Sequence, residues 1–162
     1  MPCQDAVIKK IISLKPEQTV RDAMAMFDQH QIRAMPVIDS DNRLLGMFST
    51  GVLVHRLLPV SATMQDGLKR LGFIVGATPG AAKKLKAIMN DPVEKHMDRD
   101  AVVVHPDTSF WEGLRLLAQY GSPLPVVEEN TGKLFGIMTD QSAIHELLNI
   151  IDNTSEEEFA EI

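Results

Sequence analysis

Leu134-Phe135-Gly136-Ile137-Met138-Thr139-Asp140-Gln141-Ser142 is a short apolar run that turns polar at Thr139, and the chain holds it twice. The earlier copy is Leu44-Leu45-Gly46-Met47-Phe48-Ser49-Thr50-Gly51-Val52. Each copy reads as a strand that runs into the first turn of a helix. Ser49 and Thr139 stand where a hydroxyl would cap that helix by accepting a backbone N–H.

The repetition spreads outward from these stretches. Pro16 and Pro106, Gln29 and Gln119, Gly46 and Gly136, and His55 and His145 are all 90 positions apart. Pro36-Val37 and Pro125-Val126 match one position closer, so one residue is lost and regained at loops. A fixed period of this kind signals a duplicated supersecondary unit. In each half the order is strand, helix, strand, strand, helix. The first half gives Leu14–Pro16, Thr19–His30, Met35–Asp39, Leu44–Ser49 and Thr50–Leu58. The second gives Val104–Pro106, Ser109–Tyr120, Leu124–Val127, Leu134–Thr139 and Asp140–Ile151. Val20, Ala23, Met24 and Phe27 form an apolar helical stripe, and Phe110, Leu114 and Leu117 repeat it. Ser109 with Glu112 predicts a capping box, and Thr19 with Asp22 a close relative of one. Asp39–Asn42 and Glu128–Gly132 are turn-rich breaks that predict hairpins. Neither half alone could bury both its strands and its helices, so a shared core is expected.

Between the halves Thr63 and Asp66 open a short helix through Leu71, and Gly72–Gly76 break it. Thr78 and Pro79 begin a second helix that runs to about Asn90. The expected organisation is therefore a first repeat with its lead-in over 1–58, a helical insertion over 59–92, a second repeat over 93–151 and an acidic tail over 152–162.

Composition excludes several classes. The 162 residues carry a net charge of −6. Glu146, Asp152, Glu156, Glu157, Glu158 and Glu161 lie in a stretch with no Lys or Arg, and without them acids and bases balance. That is not the basic footprint of a nucleic-acid binder, and the acidic end is expected to be solvated and frayed. No apolar run reaches the ~18 residues that would suggest a membrane span. A single cysteine, Cys3, allows no internal disulfide and suits a reducing, cytoplasmic setting.

The ordered set of motifs resembles a tandem pair of cystathionine-β-synthase (CBS) domains, also called a Bateman module. The set is Pro-x-x-Thr/Ser, a helix, h-Pro-Val-h, then h-h-Gly-h-h-Ser/Thr, where h is apolar, and it occurs twice. The lead-in Val93-Glu94-Lys95-His96-Met97 is similar to that family too. The resemblance implies an α+β fold of two pseudo-twofold βαββα repeats packed sheet to sheet, with the insertion between them. It implies a stand-alone regulatory module rather than an enzyme, with no required cofactor. It implies binding of an adenosine-containing ligand (AMP, ADP, ATP or S-adenosylmethionine), homodimerisation through helices, and action on an effector protein in trans.

By the same resemblance the ligand residues fall on the two corners, Ser49 with Thr50 and Thr139 with Asp140 and Ser142. Arg33 lies toward phosphate. Lys15 and His105 lie in segments that offer backbone contacts to a base, and Met35, Pro36, Leu124 and Pro125 in the h-Pro motifs. The family's acid that accepts from both ribose hydroxyls is absent, replaced by Val52 and Ser142. Losing such a charge-assisted pair costs roughly 1.5–3 kcal/mol, about 10- to 100-fold in affinity. Ser142 keeps one hydroxyl for a ribose, so the second corner is the expected site. N-capping accounts for Ser49 and Thr139 without any ligand, and a solvated loop charge accounts equally for Arg33. His55 and His145 match across the repeat but lack metal-ligand spacing. Gly76–Lys84 lacks the glycine–lysine–hydroxyl order of a phosphate loop. No nucleophile with a base, metal cluster or paired carboxylates is evident. The rival expectation is a degenerate pair that only dimerises or docks a partner.

Overall fold

A computed structural model describes residues 1–58 and 78–162. The expected helix Thr63–Leu71 and the break Gly72–Gly76 lie outside the described residues. The elements are β1 (Val7–Ile8), α1 (Val20–His30), β2 (Ala34–Ile38), β3 (Leu44–Ser49), α2 (Thr50–Leu57), α3 (Thr78–Ile88), α4 (Phe110–Tyr120), β4 (Leu124–Val127), β5 (Leu134–Met138), α5 (Asp140–Asn153) and α6 (Glu156–Ala160). The fold is α+β, and every helix and strand expected outside 59–77 is present within two residues, apart from the opening strand of each half. Each opening strand shrinks to one parallel bridge, Leu14 with Val37 and Val104 with Val126. Pro16 and Pro106 cannot donate to a ladder, which ends the pairing there.

The chain divides into two compact units that interleave in sequence. One holds Met1–Ile12, Asp41–Leu44 and Val102–Ile162; the other holds Ser13–Ser40 and Leu45–Ala101. In the first unit the sheet order is β1-β5-β4, with Val7 opposite Met138 and Ile8 opposite Ile137. The N-terminal lead-in thus completes the sheet of the second repeat. In the other unit β2 pairs with β3, and Asp98, just after Met97, bridges Met47 of β3. The lead-in of the second repeat thus adds one antiparallel bridge to the edge of the first repeat's two-stranded sheet. Pro2 bridges Ser109 as Pro92 bridges Thr19, again 90 positions apart, so the duplication reaches back to the first residues.

The matched glycines follow from this exchange. A Cβ on Gly46 would lie 2.6 Å from the Asp98 carbonyl oxygen, and one on Gly136 would lie 2.7 Å from the Ile8 carbonyl oxygen and strike Val7. Only a residue without a Cβ lets each lead-in approach this closely. The cores repeat as well. Val93, Val20 and Phe48 are buried in one unit; Cys3, Phe110 and Met138 take the corresponding places in the other. Phe27 and Phe48 stack with ring centroids 6.0 Å apart.

Helix starts correct two expectations. Thr19 and Asp22 form the full reciprocal capping box, whereas Ser109 only accepts from the Glu112 N–H. The Glu112 carboxylate is drawn instead to Arg115, at 2.6 and 2.8 Å. The first donors of α1 are fully accounted for, since Val20 N–H reaches the Asp91 carbonyl and Arg21 N–H that of Met89. The end of the insertion is therefore fastened to α1. The acidic tail, expected to fray, forms α6 behind a Ser155–Glu158 capping box. Glu156, Glu157 and Glu158 sit in its first turn, where the helix dipole favours negative charge.

Candidate functional site

Both corners place a hydroxyl at the N-cap of a helix. Ser49 Oγ accepts the Val52 N–H at 3.0 Å, and Thr139 Oγ1 accepts the Ser142 N–H at 3.0 Å. At the second corner Ser142 Oγ also accepts the Thr139 N–H at 2.9 Å and donates to the Thr139 carbonyl at 3.1 Å. The hydroxyl that the sequence leaves for a ribose thus gives its proton and one lone pair to the chain itself, and one lone pair remains. Asp140 is exposed, and its N–H donates to Ser122 Oγ at 3.4 Å.

At the first corner Ser49 and Val52 line a cleft of about 680 Å³ together with His55, Arg56, Lys95 and Arg99. Asp98 and Asp100 share its rim. α2 brings His55 and Arg56, nearly two turns beyond the cap, and the lead-in of the second repeat brings Lys95 to Asp100. His96, on the same wall, donates from Nε2 to Asp91 Oδ2 at 2.9 Å. That hydrogen bond, helped by the Lys95 charge, holds the Asp91 carboxyl below the ordinary carboxylate range. A second cleft of about 660 Å³ brings Arg33 and Thr50 together over Phe27, Ile32 and Leu53. Arg33 is exposed, and its carbonyl accepts the Thr50 N–H at 3.0 Å, which ties the loop before β2 to the start of α2.

The remaining expected residues lie along the opening segments and the β2 and β4 strands. Met35, Pro36, Leu124 and Pro125 are buried. The Pro36 and Pro125 carbonyls accept from the Leu14 and Val104 N–H groups. Lys15 is exposed with its N–H on Gln18 Oε1. His105 is half-buried; its N–H donates to Thr108 Oγ1, and Nδ1 donates to the Val127 carbonyl at 2.7 Å, leaving Nε2 as the acceptor. Among the described residues no group of three His, Cys, Asp or Glu side chains is placed to hold a metal ion. No helix among them is long and apolar enough to cross a membrane.

Sequence reasoning misses Arg56, Lys95 and Arg99. The signal lies in the 90-residue offset, once it is extended to the lead-ins. Arg56 corresponds to Glu146, and Lys95 to Asp5, so the two corners differ in charge at positions the fold treats alike.

Comparison with known proteins agrees with the duplicated architecture. The CBS domain profile matches residues 3–59 and 86–149. An uncharacterised 17.7 kDa protein of Acidianus ambivalens is 26% identical over 142 residues, covering 87% of this chain and 70% of that protein. Inosine-5'-monophosphate dehydrogenase of Methanocaldococcus jannaschii is 26% identical over 83% of this chain, but the chain spans only 21% of that enzyme's length. The crystal structure of the CBS-pair protein CBSX2 from Arabidopsis thaliana superposes with a TM-score of 0.69 at 25% identity, covering 94% and 98% of the two chains. A crystal structure of CBSX2 in complex with AMP gives 0.68 at 24% identity, covering 93% and 98%. With two profile matches that account for most of its length, each over one copy of the repeat, this chain belongs to the CBS domain family as a tandem pair.

Proposed function

We propose that the protein is a regulatory ligand-binding module that takes an adenosine-containing ligand at its first corner and modulates a partner protein in trans. The observation that carries this reading is the cleft at Ser49 and Val52 with Arg56, Lys95 and Arg99 on its walls. A capped helix start and three cations suit a phosphate-bearing ligand. The AMP complex of CBSX2 supports the choice of ligand class. The reading moves the preferred site from the second corner to the first. Thr139, Asp140 and Ser142 then serve chiefly to start α5, and Arg33 and Thr50 flank the site on the neighbouring cleft. Regulation rather than catalysis, no obligatory cofactor and a cytoplasmic setting belong to the same reading. Thermal unfolding with millimolar AMP, ADP, ATP, S-adenosylmethionine and NAD tests it. A ligand at 100 times its dissociation constant stabilises by about 2.7 kcal/mol. If none of the five raises the midpoint, the sensor reading is wrong.

A second reading, a pair that acts only by dimerising or docking a partner, is favoured by one specific feature. Ile144, Leu148 and Ile151 form an exposed stripe along α5, with Trp111 82% exposed on α4. In the sensor reading the same stripe pairs two copies of the chain.

A further inference from the structure

The cations of the first corner have no like-charged set at the second. Arg56 and Lys95 are replaced there by Glu146 and Asp5, and Arg99 by Lys9, whose ammonium lies 4.7 Å from the centre of the Phe135 ring. The duplicated scaffold forms with either sign at two of these positions, so stability does not require the positive charges. Within the cleft they are only lightly engaged. Arg99 gives one Nη2 bond to the Glu94 carbonyl at 3.2 Å. Lys95 Nζ stays 3.9 Å from Asp91 Oδ2, an oxygen already bonded to His96. The opposing Asp98 accepts the Asp100 N–H at 3.0 Å. The corner offers a sugar a single hydroxyl and no carboxylate, since Val52 is apolar and Ser49 gives one lone pair to the cap.

We propose that this cleft grips a chain of two or more phosphates through Arg56, Lys95 and Arg99, and that the phosphates rather than the nucleoside set its affinity. The proposal rests on the ligand-binding reading above. Two or three separated cations match several phosphate groups better than one, and forked guanidinium contacts are the stronger kind of anion bond. A free oligophosphate and a nucleoside di- or triphosphate share the recognised chemistry.

Isothermal titration of the full chain at low salt, with inorganic tripolyphosphate, ATP, AMP and adenosine as probes, decides the matter. The expected result is that tripolyphosphate and ATP bind within about tenfold of each other and AMP more weakly, with binding falling as salt rises. Arg56→Gln and Arg99→Gln should each weaken both tight binders by about tenfold. Lys84→Gln, on α3 outside the cleft, should change neither. Circular dichroism checks that each variant folds, and Arg56→Lys, which keeps the charge without the fork, gives an intermediate loss. ATP and AMP binding without tripolyphosphate would overturn the proposal and leave the adenosine reading standing. Tripolyphosphate binding without any adenosine compound, ATP included, would overturn both the adenosine reading and the expected match between ATP and tripolyphosphate. Tripolyphosphate binding untouched by the Arg56 and Arg99 variants would also overturn it.

Discussion

Thr139 and Ser142 hold each other's backbone N–H groups, at 3.0 Å from Ser142 to the Thr139 hydroxyl and 2.9 Å from Thr139 to the Ser142 hydroxyl. The pair closes the first turn of α5, uses the Ser142 proton on the Thr139 carbonyl and leaves the Ser142 hydroxyl one acceptor lone pair. Ser142→Ala therefore removes half of a capping box and should destabilise the protein by about 1 kcal/mol. Denaturant unfolding measures this. Affinity for ATP in the same variant should stay within a factor of two, roughly the precision of a titration. A larger loss would return the ligand to the second corner.

Gly46 and Gly136 bear on stability through the close approach of a lead-in to each. Alanine at either position pushes a methyl against a lead-in carbonyl, 2.6 Å away at Gly46 and 2.7 Å at Gly136. Backbone must shift in both cases, so each substitution should cost about 1–3 kcal/mol. Gly136→Ala should cost more, because Val7 is also in the way. Equal, negligible losses from both variants would mean that the lead-ins do not lie on β3 and β5.

The repeat, the elements and the matched glycines are legible in the sequence because apolar period and turn residues are local signals. Ser49 and Thr139 as caps were readable for the same reason. The exchange of lead-ins was not, since Val7, Ile8 and Asp98 carry no mark of which strand they will join. Pro2 and Pro92, 90 positions apart, are the available clue, but two prolines outside the apolar runs do not say which strand a lead-in joins. The site was less legible than the fold. A Ser three residues after a Thr cap can close the box itself, so the sequence alone leaves Ser142 open between capping and a ribose. Arg56, Lys95 and Arg99 come from two distant segments, and only the fold brings them to one cleft.

The Asp91–His96 bond predicts a pH dependence. Hydrogen bonding to His96 lowers the Asp91 pKa in the folded chain, relative to about 3.9 unfolded. The native state then binds fewer protons than the unfolded chain near that value. The stabilisation is complete above about pH 5 and is lost as pH falls through the lowered folded value. Asp91→Asn should therefore flatten the stability profile between about pH 5 and 3 relative to the parent. Parallel profiles would show that the bond does not contribute in solution.

Ile144, Leu148 and Ile151 recur at i, i+4 and i+7, so they stand in one row along α5, each more than half exposed. If that row pairs two copies, the chain runs as a homodimer in light scattering coupled to gel filtration. Leu148→Glu places charges at the centre of the row and should shift the species to monomer while circular dichroism stays unchanged. A dimer that survives Leu148→Glu and Ile144→Glu together uses another face.

Val52 sits three residues after the Ser49 cap, the spacing that Asp22 holds after Thr19 in a completed reciprocal box. Val52→Asp should therefore be accepted by α2, completing the box from the carboxylate side and placing negative charge in the first helical turn. It should also give the first corner an acceptor for sugar hydroxyls that the parent chain lacks. If the parent holds its ligand by phosphate as proposed, it should bind ATP and dATP with affinities within about twofold. In Val52→Asp two outcomes compete. The new carboxylate repels phosphates that sit close to it, but it gains up to two charge-assisted hydrogen bonds from a ribose and only one from a deoxyribose. Their difference, roughly 1.5–3 kcal/mol, should raise the ATP-to-dATP ratio by about 10- to 100-fold whichever way absolute affinity moves. Paired titrations of ATP and dATP on both proteins read that ratio directly. A parent chain that already prefers ATP tenfold would mean that some other group recognises the sugar, and an unchanged ratio in the variant would mean that the ribose does not reach residue 52.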